Sequence, residues 1–157
     1  MIQFTNLVKR LGQSHPLIVV VVASLLARVL DIVSVLLERL GPTFTFGGPE
    51  ELISKMGITG AIFVVVFVGP ALETVVFQAL PILALKMFTR LSPIWIIGLT
   101  AVPFGVSHAI YSLPYMVGAA CMGLLLSTIY LSRLYGNGSA FFLTFCVHAI
   151  NNAVDLR

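Results

Sequence analysis

A chain of 157 residues is long enough for one domain. Its side chains are 59% hydrophobic and 10% charged, whereas soluble domains carry roughly 25% charged residues; an ordinary soluble fold is excluded and an integral membrane protein is indicated. The net charge of +3, nine Lys/Arg against six Asp/Glu, is what basic residues beside membrane spans produce, and with no long basic run nucleic acid is not an expected partner.

Residues 1–16 are polar and basic, with Lys9 and Arg10, and are expected to form a cytoplasmic N-terminal segment. Pro16 opens the apolar stretch Leu17 to Leu37. It is too long for the apolar region of a signal peptide and no small-residue cleavage site follows, so it is expected to stay as a first span. Arg28 and Asp31 stand at i and i+3 within it, on one helix face. The pair neutralises two awkward charges, or one member faces a polar site. Glu38 to Lys55 is expected to loop, broken by Gly41, Pro42, Gly47, Gly48 and Pro49. Pro49 followed by Glu50 and Glu51 reads as a helix start. That helix is expected to lie in the interface and to enter the bilayer near Gly57.

Gly57 to Met87 exceeds one simple span of roughly 20 residues. Pro70 and Pro81 are expected to kink it, each freeing a carbonyl one turn earlier. Pro93 to Ile110 forms a third span, with Trp95 as an interfacial anchor. Ala101, Gly105 and Ala109 repeat at i+4, a stripe that lets helices approach closely. Pro114 to Leu134 is a fourth span whose role is packing, with Ala119 and Gly123 as a second small-residue contact. A tight loop from Tyr135 to Ser139 leads to a fifth span, Ala140 to Leu156. The expected fold is therefore all-α and polytopic, about five transmembrane helices in one domain, with the site-bearing region at 57–156. Basic residues split five against three in favour of a cytoplasmic N-terminus. Cys121 and Cys146 lie in apolar runs without metal-ligand spacing and read as small buried hydrophobes.

The chemistry-bearing groups are few. Glu73 is the one acid between Glu51 and Asp155. His108 and His148 are imidazoles in apolar surroundings, and an ionisable group in a bilayer is a functional hypothesis by default. Phe104 and His108 share a helix face at i, i+4, as do His148 and Asn152, and Thr74 and Gln78. Glu73 lies about 100° around its helix from Thr74, so one wall presents the acid with an uncharged hydrogen-bonding pair beside it. Two other helices present the imidazoles. Such a set can hold one water, with Glu73 as general base and a polar neighbour steadying an oxyanion.

These motifs resemble those of the CPBP intramembrane proteases, which include CAAX prenyl protease 2 and bacteriocin-processing relatives. That family shows EExxxR on one membrane helix, FxxxH on a later one and HxxxN or HxxxD on a third. The counterparts here are ETVVFQ (Glu73 to Gln78), FGVSH (Phe104 to His108) and HAINN (His148 to Asn152). The resemblance implies peptide-bond hydrolysis within the membrane, with a membrane-associated peptide or protein as substrate and the bilayer as surroundings. Glu73 then matches the water-activating acid, His108 and His148 the two histidines, and Asn152 the oxyanion residue. Thr74, Gln78 and Phe104 stand in supporting places. It implies either no required cofactor or a divalent metal such as zinc, held if present by Glu73, His108 and His148. Thr74 replaces the family's second glutamate and Gln78 its arginine, so a charged pair has become neutral without stranding a lone charge. The size suggests a minimal version from a prokaryotic cell membrane. Two other readings stay open: a non-catalytic scaffold or bacteriocin-immunity protein that keeps the pocket, and a proton relay for transport.

Overall fold

The computed structural model describes residues 2–39, 49–136 and 138–155. Leu40 and the loop glycines and prolines before Pro49, with Asn137, Leu156 and Arg157, lie outside the described residues. The described chain is helical, with no strand. Helix α1 is Ile2–Gly12 and α2 is Pro16–Glu38. Residues 49–88 form one long composite helix, α3. Then come α4, Pro93–Ser107, α5, Leu113–Tyr135, and α6, Ala140–Asp155.

Three stretches are long and apolar enough to cross a membrane: Pro16–Leu37, Leu52–Phe88 and Leu113–Tyr135. Pro93–Ser107 and Ala140–Val154 are shorter apolar helices. Large apolar side chains such as Leu25, Leu72, Leu80, Val102 and Phe142 stay exposed on the outside, the arrangement a bilayer rewards and water penalises. The protein is a helical membrane protein, as its composition indicates.

The N-terminal segment corrects the expectation of a merely polar start. Phe4 and Val8 sit one helical turn apart on α1, and Val8 is buried against Tyr130 and Leu131 of α5 and Ile96 and Ile97 of α4. Lys9 and Arg10 stay exposed. Arg133 of α5, itself buried, donates from Nη1 to the Gly12 carbonyl across 3.3 Å.

The long helix α3 explains how a segment too long for one span is accommodated. At Gly57 the backbone turns to φ 74° and ψ 167°, a conformation that glycine adopts without steric cost. This breaks the Pro49 end away from the rest. Beyond it come the two prolines, Pro70 and Pro81. Each follows a widened π-helical stretch, Val64–Val68 before Pro70 and Thr74–Ala79 before Pro81. In that register Gly69 N bonds Val64 O and Leu80 N bonds Val75 O, five residues back. The widening carries the carbonyl four residues back away from the proline ring, which would otherwise clash with it.

Helix α5 is the hub and packs on α1, α2, α4 and α6. Its closest neighbour is α4. A β-carbon on Gly105 would come 2.6 Å from the Ala120 β-carbon, and one on Gly123 would come 3.1 Å from Ala101. Small residues thus let the backbones approach, as expected for two of the three positions in the stripe. Ala109, the third, lies past the end of α4 and is exposed. Thr100 and Ser127 bond across the same seam at 2.9 Å. Phe104, Met122, Leu126, Leu143 and Val147 belong to one apolar cluster beside the seam.

Candidate active site

Helices α2 to α6 enclose a cavity of about 540 Å³. Its lining includes Glu73, Phe104, His108, His148 and Asn152, so residues chosen from three separate motifs open on one space. Glu73 ends the single α-helical turn Gly69–Glu73 between the two widened stretches. Its Oε2 lies 3.4 Å from Nε2 of His148. The carboxylate is partly open to the cavity, at 30% side-chain exposure, while the imidazole is 4% exposed. His148 is therefore held in the wall with one nitrogen presented to the acid.

His108 arrives differently. It caps the end of α4, where the helix breaks before Tyr111. Its Nδ1 lies 2.8 Å from the carbonyl of Phe104 and 3.1 Å from the Ser107 hydroxyl. A carbonyl only accepts, so Nδ1 carries the proton and Nε2 is left as the acceptor. The Phe104 ring touches both imidazoles, with centroids 4.8 Å from His108 and 5.7 Å from His148. Phe77 meets it edge-on at 5.5 Å. The FxxxH spacing thus does two things: it supplies the carbonyl that orients His108 and a ring that packs on both histidines.

Asn152 reaches across to α3 and donates from Nδ2 to the Val65 carbonyl at 3.0 Å. In the widened register the amide partner of Val65 O would be residue 70, which is a proline and has none. The asparagine supplies the missing donor. One Nδ2 hydrogen is used in this way, which leaves the amide a second hydrogen to donate, and Asn152 lines the cavity.

Thr74 and Gln78 do not form the expected hydrogen-bonding wall. Both are fully buried, neither lines the cavity, and their side-chain polar atoms have no partner among the described residues. The widened stretch they occupy changes the angular step from that of an α-helix, so i, i+4 spacing no longer stacks two side chains directly.

The cavity also takes residues that spacing alone does not single out. Asp31 and Ser34 of α2 reach it, with Asp31 paired to Arg28 at 3.1 Å. Of the two readings of that pair, both hold: the charges neutralise each other and the acid faces the site. Tyr111 and Tyr115 complete an aromatic rim, their rings 6.4 Å and 5.8 Å from His108. Asn151 is buried in the wall beside Asn152. Cys121 and Cys146 are free thiols outside the lining.

Among the described residues no three His, Cys, Asp or Glu side chains converge as a metal would need. Glu73 and His148 meet, while His108 gives Nδ1 to its own helix, the kind of backbone bond that orients an imidazole for a partner at its other nitrogen. The Glu73–His148 pair by itself does not make a three-ligand zinc site.

The family model for type II CAAX prenyl endopeptidases, Rce1-like, matches residues 55–154. The chain belongs to this family. The match runs from just before Gly57 to the end of α6 and takes in all three motifs. No curated protein and no solved structure matches the chain. Membership in a family of CAAX-type intramembrane endopeptidases makes this an integral membrane protein with a peptidase architecture. The helices α1 and α2, which lie outside the match, supply the N-terminal brace and the Asp31 wall.

Proposed function

We propose that this chain hydrolyses a peptide bond of a membrane-associated substrate with a water activated by Glu73. The observation that carries the reading is the Glu73–His148 contact of 3.4 Å on a cavity shared with His108 and Asn152. With His148 donating from Nε2, the carboxylate is oriented to accept a proton. His108, whose bare Nε2 is the nitrogen not used on Phe104, accepts the second hydrogen of the same water. The hydroxide adds to the scissile carbonyl carbon, and the free Nδ2 hydrogen of Asn152 donates to the oxyanion. Glu73 then passes its proton to the leaving amide nitrogen, the C–N bond breaks, and a carboxylate and an amine leave. Each role asks a single side chain to do what its remaining hydrogen-bonding capacity allows.

The neutral Thr74 and Gln78 are compatible with activity because neither touches the cavity. Loss of the family's charged pair there alters the support behind the acid and leaves the acid itself in place. Purified protein in liposomes, given a quenched fluorescent library of membrane peptides, tests the reading. Wild type should cleave, and Glu73→Gln should lose about 10²–10⁴-fold in rate. Equal cleavage by both forms, or none by wild type across the library, would remove the proposal and leave a scaffold that kept the pocket.

A further inference from the structure

Five buried polar atoms belong to residues at and beside the Glu73–His148 contact, and of those residues only His148 lines the cavity. They are Thr74 Oγ1, Gln78 Oε1 and Nε2, Thr144 Oγ1 and His148 Nδ1, and none has a hydrogen-bond partner among the described residues. Thr74, Gln78 and Thr144 are fully buried and His148 is 3% exposed. Burying such groups in apolar surroundings without partners is costly, and native proteins rarely do it. The two threonines are also out of pattern. Thr100, Thr89 and Thr128 each return the hydroxyl to a carbonyl one turn back, at 3.0, 2.5 and 2.7 Å. Thr74 and Thr144 do not.

The register between α3 and α6 brings these groups to one level. Val65 meets Asn152, and Glu73 meets His148. Numbers rise along α3 as they fall along α6, so the two run antiparallel. One turn beyond Glu73 on α3 is Gln78, and one turn beyond His148 on α6 is Thr144. The register makes these the next pair in line, and α6 packs on the widened stretch that carries Thr74 and Gln78. Thr74 directly follows Glu73, and His148 Nδ1 is the ring nitrogen turned from the acid.

We propose that Thr74, Gln78, Thr144 and Nδ1 of His148 bound a second, sealed polar compartment, and that it binds ordered water. A buried water typically makes about three hydrogen bonds, and this set offers them. The Gln78 amide supplies two donors and an acceptor, and each hydroxyl supplies one donor and accepts. The consequence is a fixed tautomer at His148. To donate from Nε2 to Glu73 the ring must leave Nδ1 bare, and a bare buried Nδ1 needs a donor. Thr144, directly or through the water, provides it. Thr144 and Gln78 are then positioning residues, acting on the acid through the histidine. The compartment also gives the replacement of the family's arginine by Gln78 a physical content: a neutral amide completes a water site where a cation would need a counter-charge. Only the link to catalysis rests on the peptidase reading; the compartment and the tautomer do not.

The test uses the full chain in lipid nanodiscs with ¹⁵N-labelled histidine rings. The three histidines are told apart by substituting His15 and His108 in turn. Wild type should show His148 protonated at Nε2 with a hydrogen-bonded, unprotonated Nδ1. Thr144→Val should move the Nδ1 resonance toward that of an unbonded ring nitrogen and lower the thermal midpoint by about 2–4 °C. Thr144→Ser should restore both, and Gln78→Leu should move the same resonance. A higher midpoint in Thr144→Val, as removing a hydroxyl from a dry apolar site would give, overturns the compartment. An unmoved Nδ1 resonance overturns the positioning role even if the midpoint falls. Neither readout needs a substrate. A chain that cuts nothing therefore sinks the proposed function and leaves this result standing, and cleavage with an unmoved resonance does the reverse.

Discussion

Asn152 donates to the main-chain oxygen of Val65 across 3.0 Å, and that oxygen is the one Pro70 leaves without a donor in its own helix. A side chain in one motif thus repairs the backbone just ahead of another. Replacing it with Ala strands the carbonyl of a half-buried residue in the cavity wall, which costs up to about 1–3 kcal/mol. Asn152→Ala should therefore lower stability against thermal or denaturant unfolding by that amount and slow peptide cleavage as well. A variant as stable as wild type would mean that Val65 O finds another partner and that the asparagine is not structural.

Pro70→Ala tests the same relationship from the other side. Alanine restores an amide hydrogen at position 70, so Val65 O regains an intrahelical donor and Asn152 is released from it. Stability should hold or rise, while cleavage should fall about tenfold, equivalent to about 1.4 kcal/mol of lost positioning. In the Pro70→Ala background the stability cost of Asn152→Ala should largely vanish. This non-additivity in a double-mutant cycle is the deciding measurement. Additive effects would show that the two residues act independently.

What the sequence made legible follows from what spacing encodes. The i, i+4 pairs Phe104–His108 and His148–Asn152 came out on shared faces because α4 and α6 are regular helices. The apolar runs named the helices because the bilayer demands continuous apolar length. Thr74–Gln78 failed as a bonded pair because Pro81 is taken up by a widened stretch, and periodicity assumes 3.6 residues per turn. The brace made by α1 was missed because Lys9 and Arg10 dominate its composition, while Phe4 and Val8 carry its packing. The reach of Asp31 to the cavity was held open, since only the crossing of α2 against α5 and α6 decides it.

The α4–α5 seam makes a stability prediction free of chemistry. A β-carbon on Gly105 would stand 2.6 Å from that of Ala120, closer than two methyl groups can approach, so the helices must part. Gly105→Ala should destabilise by about 1–3 kcal/mol, and Gly105→Leu by more. Parting the seam also shifts Phe104, one residue away, so cleavage should drop with stability. Truncating Ala120 to Gly in the Gly105→Ala background should recover only part of both, because the Ala120 Cα and backbone nitrogen would still stand 2.9 Å and 3.0 Å away. If it recovers neither, the contact is not where the strain arises.

His108 separates local structure from chemistry most cleanly, because its two ring nitrogens do different things. Nδ1 bonds the Phe104 carbonyl at 2.8 Å, and Nε2 is left for the cavity. In His108→Asn the side-chain amide stands where Nδ1 stood, so it keeps the donor to Phe104 and removes only Nε2. His108→Ala removes both. Thermal midpoints should therefore rank wild type and His108→Asn together, with His108→Ala lower. Cleavage should instead be lost in both variants, by about 10²–10⁴-fold if Nε2 handles the water's proton. A His108→Asn protein that cleaves at the wild-type rate would reduce His108 to a helix-end cap, and Glu73 with His148 would have to activate the water unaided.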